Sequence, residues 1–217
     1  PHLGLSAPIL WYLARVELPD RTMVGATVPG IPLHILGQNG TIAWGFTTTG
    51  SDTQDLFIEK IDETDPSRYI TRHGPVISDV DEAARTAAGP GHVIALSFTG
   101  LAPNDTSAEA IYRINRAKDW DSFLNALRFY GAPQQNMFFA DVNGHVGFIA
   151  PGLVPVRAPD QPGIPGSLPA AGWTGQQEWI GQLPEPGLEE GGDGGRLSQA
   201  AVEQALGEQR GDLECVR

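Results

Sequence analysis

The stretch Gln-Asn-Met-Phe-Phe-Ala-Asp-Val-Asn-Gly-His-Val-Gly-Phe, residues 135–148, carries the clearest structural pattern in the chain. Two apolar runs flank the pair Asn143-Gly144, which readily takes the positive φ angles of a type I′ turn. The pattern predicts a β-hairpin with Asn136 near its open end. An asparagine there can point into a cleft, where its side-chain N–H stabilises a developing oxyanion without titrating. The alternative is an asparagine that only ends the strand, and this stretch leaves both interpretations open.

The remaining periodicity predicts antiparallel sheet and two short helices. The predicted strands are 22–28, 33–37, 41–47, 56–61 and 92–98. The pair Asn39-Gly40 predicts a second hairpin. Helical spacing starts at Thr106 and resumes after Asp119, and both residues are predicted N-caps. An aromatic and aliphatic stripe within 120–127 is interpreted as core, and the dense proline and glycine after Pro151 predict mostly loop.

Composition indicates a folded domain and excludes some classes of partner. The chain has 217 residues, of which 41% are hydrophobic and 18% are charged. Fourteen basic and 26 acidic residues give a net charge of −12, which argues against nucleic acid or an anionic membrane as partner. The longest early apolar run, 8–14, is too short to span a bilayer. The single cysteine, Cys215, excludes an internal disulfide and a Cys-rich zinc site.

Several separate segments together resemble the penicillin acylase (penicillin amidase) family, and specifically its catalytic β chain. They are Pro1-His2-Leu3-Gly4, Gly40-Thr41-Ile42-Ala43-Trp44-Gly45, Asp52-Thr53-Gln54-Asp55-Leu56, Arg72-His73-Gly74-Pro75-Val76, the 135–148 hairpin and Gly152-Leu153-Val154-Pro155-Val156-Arg157. The resemblance implies an α+β fold, part of the four-layer αββα sandwich with antiparallel sheets of N-terminal-nucleophile hydrolases. It covers 1–183 as a partial β-chain domain. Residues 184–217 form an acidic, Gly-rich tail with a short helical pattern and no family counterpart.

The resemblance also implies a reaction. Family members hydrolyse N-acyl amides with an N-terminal Ser that autocleavage exposes and whose own α-amine serves as the base. By resemblance that Ser lies a short stretch upstream of Pro1, and the chain contains no Gly-x-Ser-x-Gly motif. We therefore expect these residues to supply the accessory part of an active site and to be inactive alone. The alternative is a catalytically dead binding or scaffold domain.

The expected partners follow from the same resemblance. They are the α chain of the same precursor and a small-molecule N-acyl amide, such as a β-lactam side-chain amide, an acyl-homoserine lactone or a lipopeptide. No cofactor is expected for catalysis. The family is exported, so a periplasmic or secreted location is expected, although the chain itself shows no signal peptide.

Four residues match family positions at the active site. Asn136 matches the oxyanion-hole asparagine, and Thr48 matches the residue whose backbone N–H is the second donor. Arg157 matches an arginine that orients that asparagine and approaches the nucleophile; the alternative is a solvated loop cation. His2 lies beside the expected nucleophile, and its alternative is a partly exposed surface histidine.

Asp52 and Asp55 are candidate metal ligands. Two carboxylates and an intervening carbonyl can converge from one loop on a hard cation, although calcium needs six to eight oxygens. Some relatives bind calcium at the matching positions, so a structural calcium is expected from the resemblance. The alternative is a capped turn with solvated carboxylates.

One departure from the family pattern lies at Ile70-Thr71-Arg72-His73. The chain passes there directly into a segment typical of a later strand, where the family has a further stretch. The departure predicts a sheet edge without a partner.

Overall fold

The computed structural model describes residues 6–71, 74–77, 86–158, 168–175 and 177–182, which form two compact units. The first unit lies within Pro1–Thr49 and Thr106–Gly152, and the second within Gly50–Asp105 and Leu153–Pro184. The strands are β1 (Tyr12–Leu18), β2 (Arg21–Thr27), β3 (Leu36–Gln38), β4 (Ile42–Thr48), β5 (Gln54–Ile61), β6 (Arg68–Thr71), β7 (Gly74–Ile77), β8 (His92–Phe98), β9 (Gln135–Asp141), β10 (Val146–Ile149), β11 (Pro155–Arg157), β12 (Ala170–Ala171) and β13 (Trp179–Gln182). The helices are α1 (Ser107–Ile114) and α2 (Trp120–Leu127), with 3-10 turns at Thr99–Leu101 and Gly172–Thr174. The predicted tail, 184–217, lies outside the described residues.

The first unit is a six-stranded antiparallel sheet in the order β1-β2-β3-β4-β9-β10, with both helices packed on it. The predicted aromatic stripe is core, since Phe123 and Leu127 are fully buried and Trp120 packs against them. Their sheet partners include Met137 and Phe139 on β9. Full burial of one such side chain contributes about 1.5–3 kcal/mol, so this cluster fixes β9 against the helices.

The helix N-termini differ from each other. Asp119 caps α2 as predicted, because its carboxylate accepts the Ser122 backbone N–H at 2.8 Å in a capping box. Thr106 precedes α1 without a side-chain cap, and its hydroxyl instead donates to the Phe129 carbonyl at 2.8 Å. The α2 cap was thus predictable from local sequence, whereas the Thr106 hydroxyl bonds to a residue 23 positions later in the chain.

The β9–β10 hairpin is confirmed, but its predicted type I′ turn was wrong. That turn needs positive φ at two central residues, and here Gly144 has φ 87° while Asn143 is not in the positive region. The Asp141 carboxylate accepts the backbone N–H groups of Asn143 and His145, both at 2.9 Å, and Gly144 N–H donates to the Asp141 carbonyl at 3.1 Å. These bonds hold Asn143 in an ordinary conformation and leave the left-handed position to glycine.

We expect the Asp141 carboxylate to make the β9–β10 hairpin sensitive to acid. The side-chain hydrogen bond from His145 is the largest cause that lowers the pKa of Asp141 below its usual value, and the two backbone bonds add to it. A depressed pKa stabilises the fold above the unfolded-state pKa of about 4, and this contribution is lost as the pH falls through the folded-state pKa. We therefore expect Asp141→Asn to flatten the fall of the unfolding free energy below about pH 4. Denaturant titrations at a series of pH values measure this, and parallel curves for both proteins would contradict it.

The second unit contains a five-stranded sheet, in which β5 pairs with β12, β6 and β8 and β6 pairs with β7, and a separate β11–β13 pair. Only β12 runs parallel to its neighbour; the other described pairs are antiparallel. The predicted unpaired edge at 70–73 does not lie at β6, because that strand pairs with β5 and with β7. Among the described residues the sheet order ends at β7. The strands β6 and β7 pair antiparallel, with Thr71 opposite Gly74. Arg72 and His73 themselves lie outside the described residues.

Among the described residues, none of the helices is long and apolar enough to cross a membrane.

Candidate active site

Asn136 and Thr48 come together at one end of neighbouring strands in the first unit. The antiparallel β4–β9 ladder pairs Thr47 with Asn136 and Thr48 with Gln135. The Asn136 side-chain amide nitrogen donates to the Thr48 carbonyl at 3.3 Å and to the Thr47 hydroxyl at 3.5 Å. The two predicted oxyanion donors are therefore adjacent, although they are 88 residues apart in the chain.

The start of β9 is held from outside its own hairpin. Gln135 N–H donates to the Pro151 carbonyl at 3.3 Å, and the Thr49 hydroxyl donates to the Gln134 side-chain oxygen at 3.1 Å. Gly152 has φ 120°, and a Cβ there would lie 2.8 Å from the Gln134 Cα. Only glycine fits both the angle and the space, so this close approach restrains the strand next to Asn136. Sequence reasoning missed Gln134 as part of this arrangement.

The Asn136 side-chain amide is suited to be a hydrogen-bond donor that changes its acceptor. Its two described bonds are at the long end of the hydrogen-bond range, and a long neutral bond is weak. A bond to an oxyanion is charge-assisted and roughly twice as strong. An amide also keeps its N–H at every pH of interest. The arrangement can therefore redirect one N–H from the Thr48 carbonyl to a developing negative charge at little cost.

The second unit brings together Arg157, Asp55 and Asp52. Arg157 Nε donates to Asp55 Oδ2 at 2.9 Å, and its Nη2 lies 3.1 Å from both Asp52 Oδ1 and the Asp52 carbonyl. Trp179 Nε1 donates to the same Asp55 Oδ2 at 2.5 Å. The Asp55 side chain is 1% exposed and that of Arg157 is 23% exposed. Arg157 is therefore an anchored side chain and not a solvated loop cation.

The arrangement around Asp52 and Asp55 does not fit a calcium ion. Among the residues that the structure describes, no group of three or more His, Cys, Asp or Glu side chains could hold a metal. One oxygen from each carboxylate faces the Arg157 guanidinium, whose positive charge opposes a second cation there. Asp55 Oδ1 is buried without a hydrogen-bond partner in the described part of the chain, and a single such oxygen falls short of the six to eight that calcium takes. The calcium site therefore stays a prediction.

His2, the remaining predicted site residue, lies outside the described residues. The structure thus forms two groups from the predicted set. Asn136 and Thr48 meet in the first unit, and Arg157, Asp52 and Asp55 meet in the second. Trp179 joins the second group, and no local pattern in the sequence pointed to its bond with Asp55.

The chain belongs to the penicillin amidase family, whose model matches residues 1–71 and 67–190. Among curated proteins it is 32% identical to the acyl-homoserine lactone acylase QuiP of Pseudomonas fluorescens strain Pf0-1, over 83% of this chain and 25% of the relative. It is 27% identical to the penicillin acylase 2 proenzyme of Pseudomonas sp. strain SE83, over 87% of this chain and 27% of the relative. The chain therefore spans about a quarter of the length of these relatives.

A solved structure shares the fold. The thermostable penicillin G acylase from Alcaligenes faecalis matches with a TM-score of 0.63 at 24% identity, over 84% of this chain and 36% of that chain. This likeness confirms the α+β class. The two family matches overlap at 67–71, a range that contains the strand β6.

Proposed function

We propose that the complete protein hydrolyses N-acyl amides through an acyl-enzyme on an N-terminal serine that precedes this chain. The observation that carries the proposal is the adjacency of Asn136 and Thr48 at the ends of paired strands. The names of the relatives, acyl-homoserine lactone acylase and penicillin acylase, support the same class of substrate.

In the proposed reaction the serine hydroxyl attacks the substrate carbonyl while the α-amine of the same residue takes its proton. The carbonyl oxygen becomes an oxyanion, which accepts N–H groups from the Asn136 side chain and the Thr48 backbone. The tetrahedral intermediate collapses with loss of the amine, which leaves with the transferred proton. Water then attacks the ester by the same route and releases the carboxylic acid and the free serine.

The partner in this proposal is the α chain of the same precursor, and the cellular location is the periplasm or the exterior. For substrate we favour N-acyl amides of the acyl-homoserine lactone type over β-lactam side-chain amides. The support is the identity to lactone acylases, which ranges from 27% to 32%, against 27% for two penicillin acylases.

The test uses the complete, processed protein with a panel of acyl-homoserine lactones of increasing chain length and with penicillin G. Release of the primary amine is measured with an amine-reactive fluorophore. We expect amine release from at least one lactone at a kcat/KM above that for penicillin G. Release from no N-acyl amide would contradict the proposal and favour a catalytically dead binding domain.

Residues 1–217 alone are expected to give no turnover of these amides. Asn136 and Thr48 stabilise an oxyanion but cannot form the acyl-enzyme, since neither is the attacking group in the proposed reaction. The measurement is amine release by the isolated chain, with the complete processed protein as the positive control. Turnover by the isolated chain that a serine-directed inhibitor abolishes would reveal a nucleophile inside it.

A further inference from the structure

Asp55 is a buried carboxylate on which two donors converge from one strand pair. It is the second residue of β5, and its side chain is 1% exposed. The β11–β13 register places Arg157 directly opposite Trp179, next to a shift in register between Val156 and Arg157. From these opposed positions Arg157 Nε and Trp179 Nε1 reach the same oxygen, Oδ2 of Asp55.

This convergence fixes the orientation of the guanidinium plane. Nε and Nη2 form one edge of the planar group, and both are bonded: Nε to Asp55, and Nη2 to the carboxylate and the carbonyl of Asp52. With one edge held at two points, the opposite edge of the rigid fork has a set direction. The Asp52 side chain is 55% exposed, so it forms the outer and weaker arm of this arrangement.

Because Asp55 is buried, its carboxylate, the Arg157 guanidinium and the Trp179 indole depend on one another. A buried carboxylate is tolerated only when a counter-charge and hydrogen bonds compensate the loss of water. Arg157 supplies the charge, and the Trp179 indole, which donates but cannot accept, supplies a neutral bond. Removal of the indole N–H therefore weakens the hold on Asp55, and through Asp55 the hold on Arg157.

We propose that Asp55 and Trp179 are positioning residues that clamp Arg157, and that its guanidinium takes the place between Asp52 and Asp55 where the family resemblance puts calcium. We call Asp52, Asp55, Arg157 and Trp179 the arginine clamp. Its effect on catalysis rests on the proposed function and on the position beside the nucleophile that the resemblance implies for Arg157. The clamp itself rests on the contacts of Asp52, Asp55, Arg157 and Trp179.

The first test concerns cations and needs no activity. Thermal unfolding of the complete protein is measured in chelator and in millimolar calcium for the wild type, Asp52→Asn and Asp55→Asn. The clamp predicts that calcium shifts the Tm of all three proteins equally or not at all, because no calcium binds between these carboxylates. A calcium-dependent rise in the wild type that is absent from both variants would overturn the proposal.

The second test separates positioning from general stability. In the complete protein Trp179→Phe keeps an aromatic ring but removes the N–H, and we expect it to lower kcat about tenfold through displacement of Arg157. In an Arg157→Ala background the same change is expected to have no further effect on kcat, because the residue it acts through is gone. Trp173→Phe, a matched change whose ring contacts His92 and Lys60, is expected to leave kcat unchanged.

Equal effects of Trp179→Phe on kcat in the two backgrounds would overturn the positioning role. If the parent protein hydrolyses no amide at all, the proposed function fails, and a cycle of unfolding free energies decides the clamp instead. Trp179→Phe and Arg157→Ala, which remove two donors to one oxygen, are expected to be non-additive in that cycle. Strictly additive effects on stability would overturn the clamp.

Discussion

Asn136→Ala in the complete, processed protein is expected to lower kcat by about two to three orders of magnitude, because it removes one donor to the oxyanion. That loss corresponds to about 3–4 kcal/mol of transition-state stabilisation. KM is expected to change little, since the ground-state carbonyl carries little of the charge that the N–H stabilises. The measurement is steady-state kinetics on the best amide substrate, together with the unfolding free energy of each variant.

The free energy of unfolding is expected to change little on Asn136→Ala, because the bonds that Asn136 makes in the structure are long and only partly buried. They lie at 3.3 Å and 3.5 Å, and the strand itself is held by the β4 ladder and the packing of Met137 and Phe139. Asn136→Asp gives a sharper comparison, since a carboxylate keeps the shape, removes the N–H and adds a charge that repels the oxyanion. We expect its kcat to be at least as low as that of the alanine variant.

Asn143→Ala is the matched control. It is the same substitution on the same hairpin, and the bond that Asn143 makes to Asp141 comes from its backbone, which alanine retains. Its kcat is expected to equal that of the wild type. Near-normal kcat in a folded Asn136→Ala protein would instead show that Asn136 only ends the strand, which is the alternative that the sequence left open.

Local signals in the sequence placed the hairpin, but its turn type and its partner strand did not follow from them. Two apolar runs around Asn143-Gly144 suffice to predict β9 and β10, because turn and strand preferences act over a few residues. The turn type was wrong because the Asp141 carboxylate bonds to two backbone N–H groups, an interaction that a dipeptide preference does not contain. The pairing of β9 with β4, which joins Thr48 to Gln135 and Ile42 to Asp141, had no local signal. The resemblance assigned Asn136 and Thr48 to one oxyanion hole but predicted no pairing of their strands.

The arginine clamp was even harder to predict from local sequence than the hairpin. The strand β11 has three residues and β13 has four, in a region whose proline and glycine predicted loop. Strands this short show no alternation that distinguishes them from loop. Arg157 and Asp55 are 102 residues apart, so the ion pair between them had no local signal. What the resemblance supplied was residue positions, and it assigned Asp52 and Asp55 to a metal although the structure pairs them with an arginine.

A buried asparagine, Asn115, joins the end of α1 to the loop before β3. It is fully buried, and its Oδ1 accepts the His34 backbone N–H at 2.9 Å. Its Nδ2 donates to the carbonyls of His34 at 2.8 Å and Ile111 at 2.9 Å. Asn39 continues the network, because its Nδ2 donates to the Asn115 and Ala117 carbonyls while its Oδ1 accepts the N–H of Ile42 at the start of β4.

We expect Asn115→Ala to lower the free energy of unfolding by about 3 kcal/mol or more, because it leaves the His34 N–H and two carbonyls buried without this partner. Asn125→Ala on the exposed face of α2 is the matched control, with an expected change within about 0.5 kcal/mol. Denaturant unfolding followed by circular dichroism measures both. The network holds the start of β4, whereas Thr48, the proposed oxyanion donor, lies at the opposite end of that strand. The change in kcat per folded molecule is therefore expected to be far smaller than for Asn136→Ala. A loss of stability no larger than that of the control would show that water or neighbouring groups replace the three bonds, and the network would then have no structural role.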